Sequence, residues 1–304
     1  MSWPTSPKGS ASARPAVWSV SVRTPSYATA CWPARTLNNS TTNSWLFPPK
    51  TEEVQFDEKW AFVAKKEKHC DRANADDDHA GDCWDYVALD PEHRLVVSAL
   101  VGRRSAEHVD LLVEDFRRRT DGRLMNLMTS AENPAYAGAI LNSYGEEYQP
   151  RRQGAQGPKP ARRKRPPKGL KYATVHKTRE KNRVVKVEQR VIFGTLLAVA
   201  AALLASAVST VINTVFVERH NGTDRNRNAR KARKTYCFSK DWEVHEAVSF
   251  FTLYSYNFCW PVRSLREKGA DGKWKQRTPA MAAGLTDHPW SLTEWLCFPG
   301  VQRK

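Results

Sequence analysis

Three short stretches of alternating apolar and polar residues follow one another between Glu53 and Val101, and they restrict the fold more than any other feature of the chain. In Glu53-Val-Gln-Phe-Asp-Glu-Lys-Trp-Ala-Phe-Val63 the residues Val54, Phe56, Trp60 and Phe62 share one face and Asp57 lies on the other. A period of 2 is that of a strand with one face buried. A polar loop, His69 to Asp82, leads to a second strand over Cys83 to Leu89. Asp90-Pro91-Glu92 supplies turn chemistry, and His93 to Val101 reads as a third strand. The turn before His93 is short, and the three strands are expected to form an antiparallel meander.

The period then changes. Ser105 is placed to cap a helix with Glu107 in its first turn, and Val109, Leu112, Val113 and Phe116 recur at helical spacing until Thr120-Asp121-Gly122 ends it. Leu124 to Ser130 is a short apolar strand. Pro134 opens a second helix whose buried positions are Tyr136, Ile140 and Leu141. Three antiparallel strands, helix, strand, helix is the order of a ribonuclease-H-like core, so the expected class is α/β with a mixed sheet.

The flanking text differs in kind. Residues 1–50 contain no Asp or Glu and are dominated by Ser, Thr, Pro and Ala with dispersed Trp3, Trp18, Trp32 and Trp45. No apolar period persists there, which predicts a disordered or aberrant N-terminal segment. Residues 149–170 read as a flexible basic linker, and Lys171 to Arg190 as a basic strand or hairpin with Tyr172, Val175, Val184, Val185 and Val187 as its apolar positions. Val191 to Val217 carries no charge. It is long enough for a membrane span, but it contains Gly194, Ser206, Ser209, Asn213 and Thr214, and the expectation is a buried core helix. Ser239 is expected to cap a further helix with Val244, Val248 and Phe251 on one face, stopped by Pro261; Ser291 to Leu296 is a short helix. The organisation expected is a catalytic domain over 51–262, with the linker and the apolar helix inserted, and a C-terminal tail over 263–304.

A formal net charge of +16 asks for an acidic partner, nucleic acid before an anionic membrane surface. The basic residues gather in two blocks. One is Arg162, Arg163, Lys164 and Arg165. The other is Arg219, Arg225, Arg227, Arg230, Lys231, Arg233 and Lys234, which follows Glu218 directly. Arginine forks donate two parallel hydrogen bonds to phosphate. The six cysteines form no close-spaced framework, and no basic region followed by an apolar core opens the chain, so reduced thiols and a cytoplasmic, nucleoid-associated location are expected. His69, Cys70, His79 and Cys83 match no usual zinc spacing. Asp76, Asp77 and Asp78 read as a solvated turn; Trp60, Trp84 and the aromatics from Phe250 to Trp260 read as core. Cys237 has basic neighbours but no His/Asp arrangement for thiol catalysis.

Phosphodiester chemistry is often built on carboxylates from separate elements around divalent ions. Asp57 in mid-strand and Glu218 late in the chain suit two such positions, and a third belongs at the end of the central strand, at Ser130-Ala131-Glu132-Asn133. Three segments together, Gln55-Phe-Asp-Glu-Lys-Trp60, Thr129-Ser-Ala-Glu-Asn-Pro134 and Glu218-Arg-His-Asn221, resemble the catalytic motifs of insertion-sequence transposases, most closely the family of insertion sequence one. Arg225, Arg230, Arg233-Lys-Thr235 and Phe238-Ser-Lys240 are similar to the basic block that follows the catalytic Glu there, and the resemblance runs from about Val54 to Trp260.

The resemblance implies a DDE triad dependent on Mg²⁺ or Mn²⁺, cleavage at the element's ends, attack of the freed 3′-hydroxyl on target DNA, and double-stranded DNA as partner, with a homo-oligomer on the DNA. By position Asp57 is its first Asp and Glu218 its Glu, both metal ligands. Asn221 and the basic residues of both blocks are then DNA-binding. The second Asp falls on Ala131, which cannot ligate a metal, and neighbouring Glu132 is expected on the opposite face of its strand. The chain also departs from the family in its long interval between positions 131 and 218, and in lacking paired C-x-x-C motifs before Thr51. A transposase impaired in this copy, an inactive DNA-binding remnant, and a basic membrane-associated protein with a span at 191–217 are the three function classes that follow.

Overall fold

The computed structural model describes residues 51–71, 73–151, 160–181 and 183–298. The expected disorder of residues 1–50, the middle of the basic linker and the last six residues lie outside these. The fold is a mixed α/β arrangement around an open six-stranded sheet flanked by helices. Its strands are β1 (Glu53–Val63), β2 (Gly81–Asp90), β3 (Leu95–Gly102), β4 (Leu127–Ala131), β7 (Tyr172–Glu180) and β8 (Arg183–Phe193), with β5 (Glu146–Tyr148) and β6 (Arg163–Arg165) forming a separate small hairpin. The order across the sheet is β3-β2-β1-β4-β7-β8. β1 pairs antiparallel with β2 and parallel with β4; β4 is parallel to β7, and β7 turns back antiparallel into β8.

β1 therefore sits in the middle of the sheet, and its two faces are both covered. On one face Phe56 is fully buried against the rings of Phe116 and Tyr136, each 5.5 Å away between centroids. These come from helices α1 (Ala106–Arg119) and α2 (Ala135–Tyr144), laid down side by side as the apolar stripe of each predicts. Each such fully buried side chain contributes roughly 1.5–3 kcal/mol. Ser105 caps α1 by accepting from the backbone NH of His108, and Val109, Leu112, Val113 and Phe116 are its buried residues, as expected. The other face of β1 was expected to meet water. Instead Gln55, Lys59, Ala61 and Val63 are buried there, because helices α4 (Val215–Arg227) and α5 (Trp242–Cys259), far along the chain, pack over it and over the flanking strands.

The uncharged run from 191 to 217 is not one buried helix. Its start is the end of β8, and Gly194 then turns the chain with a φ of 89°, a conformation open to glycine at little strain. Thr195 caps a ten-residue helix, α3 (Leu196–Ala205), through the backbone NH of Ala198. Ser206 ends it and accepts from the backbone NH groups of Val208 and Ser209. The small polar residues within the run thus cut it into pieces. Only Val199 of α3 is buried, against Leu127, Ala173 and Val175, while Leu196 and Leu204 are 77% and 90% exposed. Among the described residues no helix is long and apolar enough to cross a membrane.

Three smaller expectations also change. Val184, Val185 and Val187 are exposed, because the β7–β8 hairpin projects beyond the helices that cover the sheet. Asp241, not Ser239, caps α5, and the buried face of that helix carries His245, Ser249, Leu253 and Tyr256 instead of Val244. Asp77 is buried and paired with Lys65 rather than solvated. At the sheet edge, Asn257 of α5 closes β3: its amide oxygen accepts from Val96 NH at 3.0 Å and its amide NH₂ donates to Val96 carbonyl at 2.8 Å. A side-chain amide here stands in for a strand neighbour at one residue of the sheet edge.

Candidate active site

β1 alternates, so Gln55, Asp57 and Lys59 point to the same face, and α4 lies along that face. Two strand residues advance about 6.8 Å, close to the advance of four helical residues. Each of the three strand positions therefore meets its own helix position. Gln55 Oε1 accepts from the backbone NH groups of Phe216 and Val217, and Gln55 Nε2 donates to Asn213 carbonyl at 3.0 Å, which pins the N-terminus of α4. Asn221 Nδ2 donates to Asp57 Oδ2 at 2.7 Å. Lys59 Nζ pairs with Asp224.

This docking brings Glu218, in the first turn of α4, to the cleft that holds Asp57. The cleft, about 550 Å³, is also lined by Ala131, Glu132, Lys177, Arg179 and Arg225. Ala131 reaches it through strand pairing. Phe56 and Ser130 are partners in the parallel β1–β4 ladder, so the next residue of each strand, Asp57 and Ala131, lie side by side. The expected third carboxylate position is thus beside Asp57, and it bears a methyl group. Glu132 does reach the cleft, contrary to the opposite-face expectation, because β4 ends at Ala131 and alternation no longer applies. Its carboxylate is engaged by His176 and by Arg190 Nη1 at 3.1 Å.

The carboxylates differ in how they are neutralised. Glu218 is held by Lys177 and by the Thr214 hydroxyl. Glu58 accepts from Asn133 Nδ2 at 3.0 Å and Tyr136 OH at 3.3 Å, with Arg104 at 3.4 Å. Asp57 has no ion-pair partner among the described residues. Burial pushes its carboxyl up to about 7, and the Glu58 and Glu218 carboxylates add to the rise, against hydrogen bonds from the Glu58 backbone and Asn221. Uncompensated negative charge of this kind suits a cation. Asp57 and Glu218 offer two carboxylate donors, enough for one hard divalent ion completed by water and substrate oxygens. Among the described residues no three His, Cys, Asp or Glu side chains gather around one metal position.

The basic residues singled out from the sequence separate into several places. Arg225 lines the cleft with Asn221, which is buried and orients Asp57. Arg219 and Arg227 lie on the other flank of α4. Arg233 and Lys234 are exposed beyond it, and Arg230 is half-buried. Arg162 and Arg165 face Glu147 and Glu146 across the β5–β6 hairpin, whose exposed surface also carries Arg163 and Lys164.

Lys231, read from the sequence with the surface bases, is buried. Its ammonium lies 2.7 Å from Asp85 Oδ2 and 3.3 Å from Asp224 Oδ2, and Lys59 completes the group at 3.4 Å from Asp85. Burial alone would raise the Asp85 carboxyl; Lys231 and Lys59 reverse this and hold it well below its ordinary value. The two acids and two bases form a neutral buried quartet beneath α4. No pattern in the sequence marks it, since its members lie in four separate segments. Cys83, considered for zinc, is buried with Sγ 3.0 Å from His245 Nε2, and burial raises its thiol far above the ordinary value. Cys237 is free and exposed. No protein family model matches this chain, and no curated protein is significantly similar to it.

Proposed function

We propose that the chain is a DDE-type DNA transposase of an insertion sequence, resembling the family of insertion sequence one, with catalysis impaired in this copy at position 131. The observation that carries this reading is the meeting of Asp57, Ala131 and Glu218, from three distant segments, on one basic-walled cleft. The sheet order and the antiparallel-then-parallel pairing support a ribonuclease-H-like core, with β1 and β4 central and the site at mid-β1 beside the C-terminal end of β4.

In this reading Arg225, Arg179 and Lys177 take up the DNA backbone, as guanidinium and ammonium groups suit phosphate. Gln55 fixes the start of α4, and Asn221 fixes the Asp57 carboxylate, so that the two acids face the same phosphodiester. Mg²⁺ or Mn²⁺ held by Asp57 and Glu218 would polarise a phosphoryl oxygen and stabilise charge developing in strand cleavage. Lys177 must release Glu218 for this, and a phosphate arriving in the cleft gives it another anion. Ala131 leaves the side of Asp57 nearest β4 without a carboxylate.

The test is Mn²⁺- or Mg²⁺-dependent nicking of plasmid DNA by the full chain and by Ala131→Asp. The reading expects nicking by Ala131→Asp at least about 100-fold above the parent, the scale at which misplaced catalytic groups act. It also expects loss of that gain in Ala131→Asp/Asp57→Ala and Ala131→Asp/Glu218→Ala. Equal nicking by all four proteins would refute it. The second reading, a DNA-binding remnant, is favoured by the same methyl group and predicts duplex binding with no rescue. A membrane-associated role has only the exposed leucines of α3 in its support.

A further inference from the structure

On the flank of α4 opposite the cleft lies a cavity of about 690 Å³ into which five arginines project: Arg94 from the β2–β3 turn, Arg219 and Arg227 from α4, and Arg263 and Arg266 from the segment after α5. No Asp or Glu lines it, and among the described residues none of the five has an ion-pair partner. Arginines elsewhere in the fold do, as Arg119 with Asp115 at 2.6 Å and Arg165 with Glu146 at 3.2 Å. Like charges gathered without a counter-charge repel one another unless an anion joins them.

The polar groups of the cavity are also unmet. His220 is 4% exposed, and among the described residues neither of its ring nitrogens has a hydrogen-bond partner. A neutral imidazole offers one donor and one acceptor. Buried Nη1 atoms of Arg94 and Arg227 likewise have no hydrogen-bond partner among the described residues. Guanidinium groups sit over aromatic rings: Arg94 lies 3.9 Å from the Phe216 centroid, Arg227 4.2 Å from Trp260, and Arg266 4.3 Å from the exposed ring of Trp274. Stacking occupies the guanidinium faces and leaves the donor edges available.

We propose that this cavity binds a nucleotide, its phosphate held by the arginine forks and its base placed against the Trp274 side beside His220. Guanidinium forks match phosphate oxygens, and aromatic walls accept any base by its π-face. The nucleotide is an unpaired one at a strand end of DNA, or a free nucleoside phosphate. α4 lines both the cavity and the Asp57 cleft, with Glu218, Asn221 and Arg225 on the cleft and Arg219, Thr223 and Arg227 on the cavity, so a frayed end of DNA lying in the cleft has a helix roughly 10–12 Å thick to cross. The strand-end form rests on the DNA reading of the cleft; the nucleotide site itself does not.

The experiment uses the full chain, a blunt DNA hairpin, the same hairpin with a two-nucleotide overhang ending in 2-aminopurine, and free dAMP. Strand-end binding predicts about tenfold tighter binding of the overhang hairpin, with quenched 2-aminopurine emission. Arg263→Gln/Arg266→Gln and Trp274→Ala, all at exposed positions and safe for folding, remove both effects while blunt binding changes less than twofold. Binding of dAMP that the same variants abolish, without an overhang preference, supports the site with the free nucleotide as its ligand. Inorganic phosphate competing as well as dAMP overturns the base contact. If neither overhang nor dAMP binding responds to the three substitutions, the site is overturned even where blunt-duplex binding, and so the reading of the cleft, survives.

Discussion

Removing the charge of Asp57 should stabilise the protein, and only above mildly acidic pH. The carboxyl ionises near 3.8 in an unfolded chain and near 7 in the fold, because burial and the carboxylates of Glu58 and Glu218 disfavour its anion. The folded state therefore binds more protons than the unfolded one between about pH 4 and 7, and stability falls as pH rises through that window. About three pH units at 1.36 kcal/mol each give an upper limit of ~4 kcal/mol above pH 7. Water reaching the cleft reduces this, and ~1–3 kcal/mol is expected. Asp57→Asn keeps the hydrogen bond from Asn221 Nδ2 and loses the charge. Urea melts at pH 4.5 and pH 8 should give similar stability for the two proteins at the lower pH and an advantage of ~1–3 kcal/mol for Asp57→Asn at the higher. Mn²⁺ at pH 8 should narrow that gap by stabilising the parent alone, since a ligand bound only by the folded state adds to stability. Parallel pH–stability profiles for the two proteins would show that Asp57 carries no unmet charge, and the argument for a cation in the cleft would go with it.

Other outcomes follow from the same geometry. Lys59→Met strands Asp224 and Asp85 with one cation and should cost about 3–5 kcal/mol by chemical denaturation, whereas Lys59→Met/Asp224→Leu should recover much of the loss. Asn257→Ala leaves the NH and carbonyl of Val96 buried without partners and should lower stability by about 2–4 kcal/mol, with faster amide exchange along β3. Affinity for blunt duplex DNA, measured by fluorescence anisotropy, should fall by orders of magnitude between 50 and 200 mM salt if several phosphates are neutralised, and Arg225→Gln should make that slope shallower by about one unit.

What the sequence determined by itself is the part of the molecule built from neighbours. The alternation of Val54 and Phe56, the cap at Ser105, the stripe from Val109 to Phe116 and the turn at Thr120-Asp121-Gly122 are local, and each formed the expected element because period and capping act within a few residues. The candidacy of Asp57, position 131 and Glu218 was legible too, through chemistry and resemblance. Tertiary structure decided everything that depends on which distant segments meet. It put α4 on the second face of β1 and so buried Lys59 and Lys231, which the sequence shows only as charges. It cut the 191–217 run at Gly194 and Ser206, where backbone conformation and capping outweighed mean hydropathy. It drew Glu132 into the cleft because β4 ends at Ala131, the residue before it. It divided the basic block of α4 between two flanks, one facing the carboxylates and one facing five arginines with no acid. Charge and periodicity are properties of residues in order; desolvation and pairing belong to residues in space, and only the packed chain sets them.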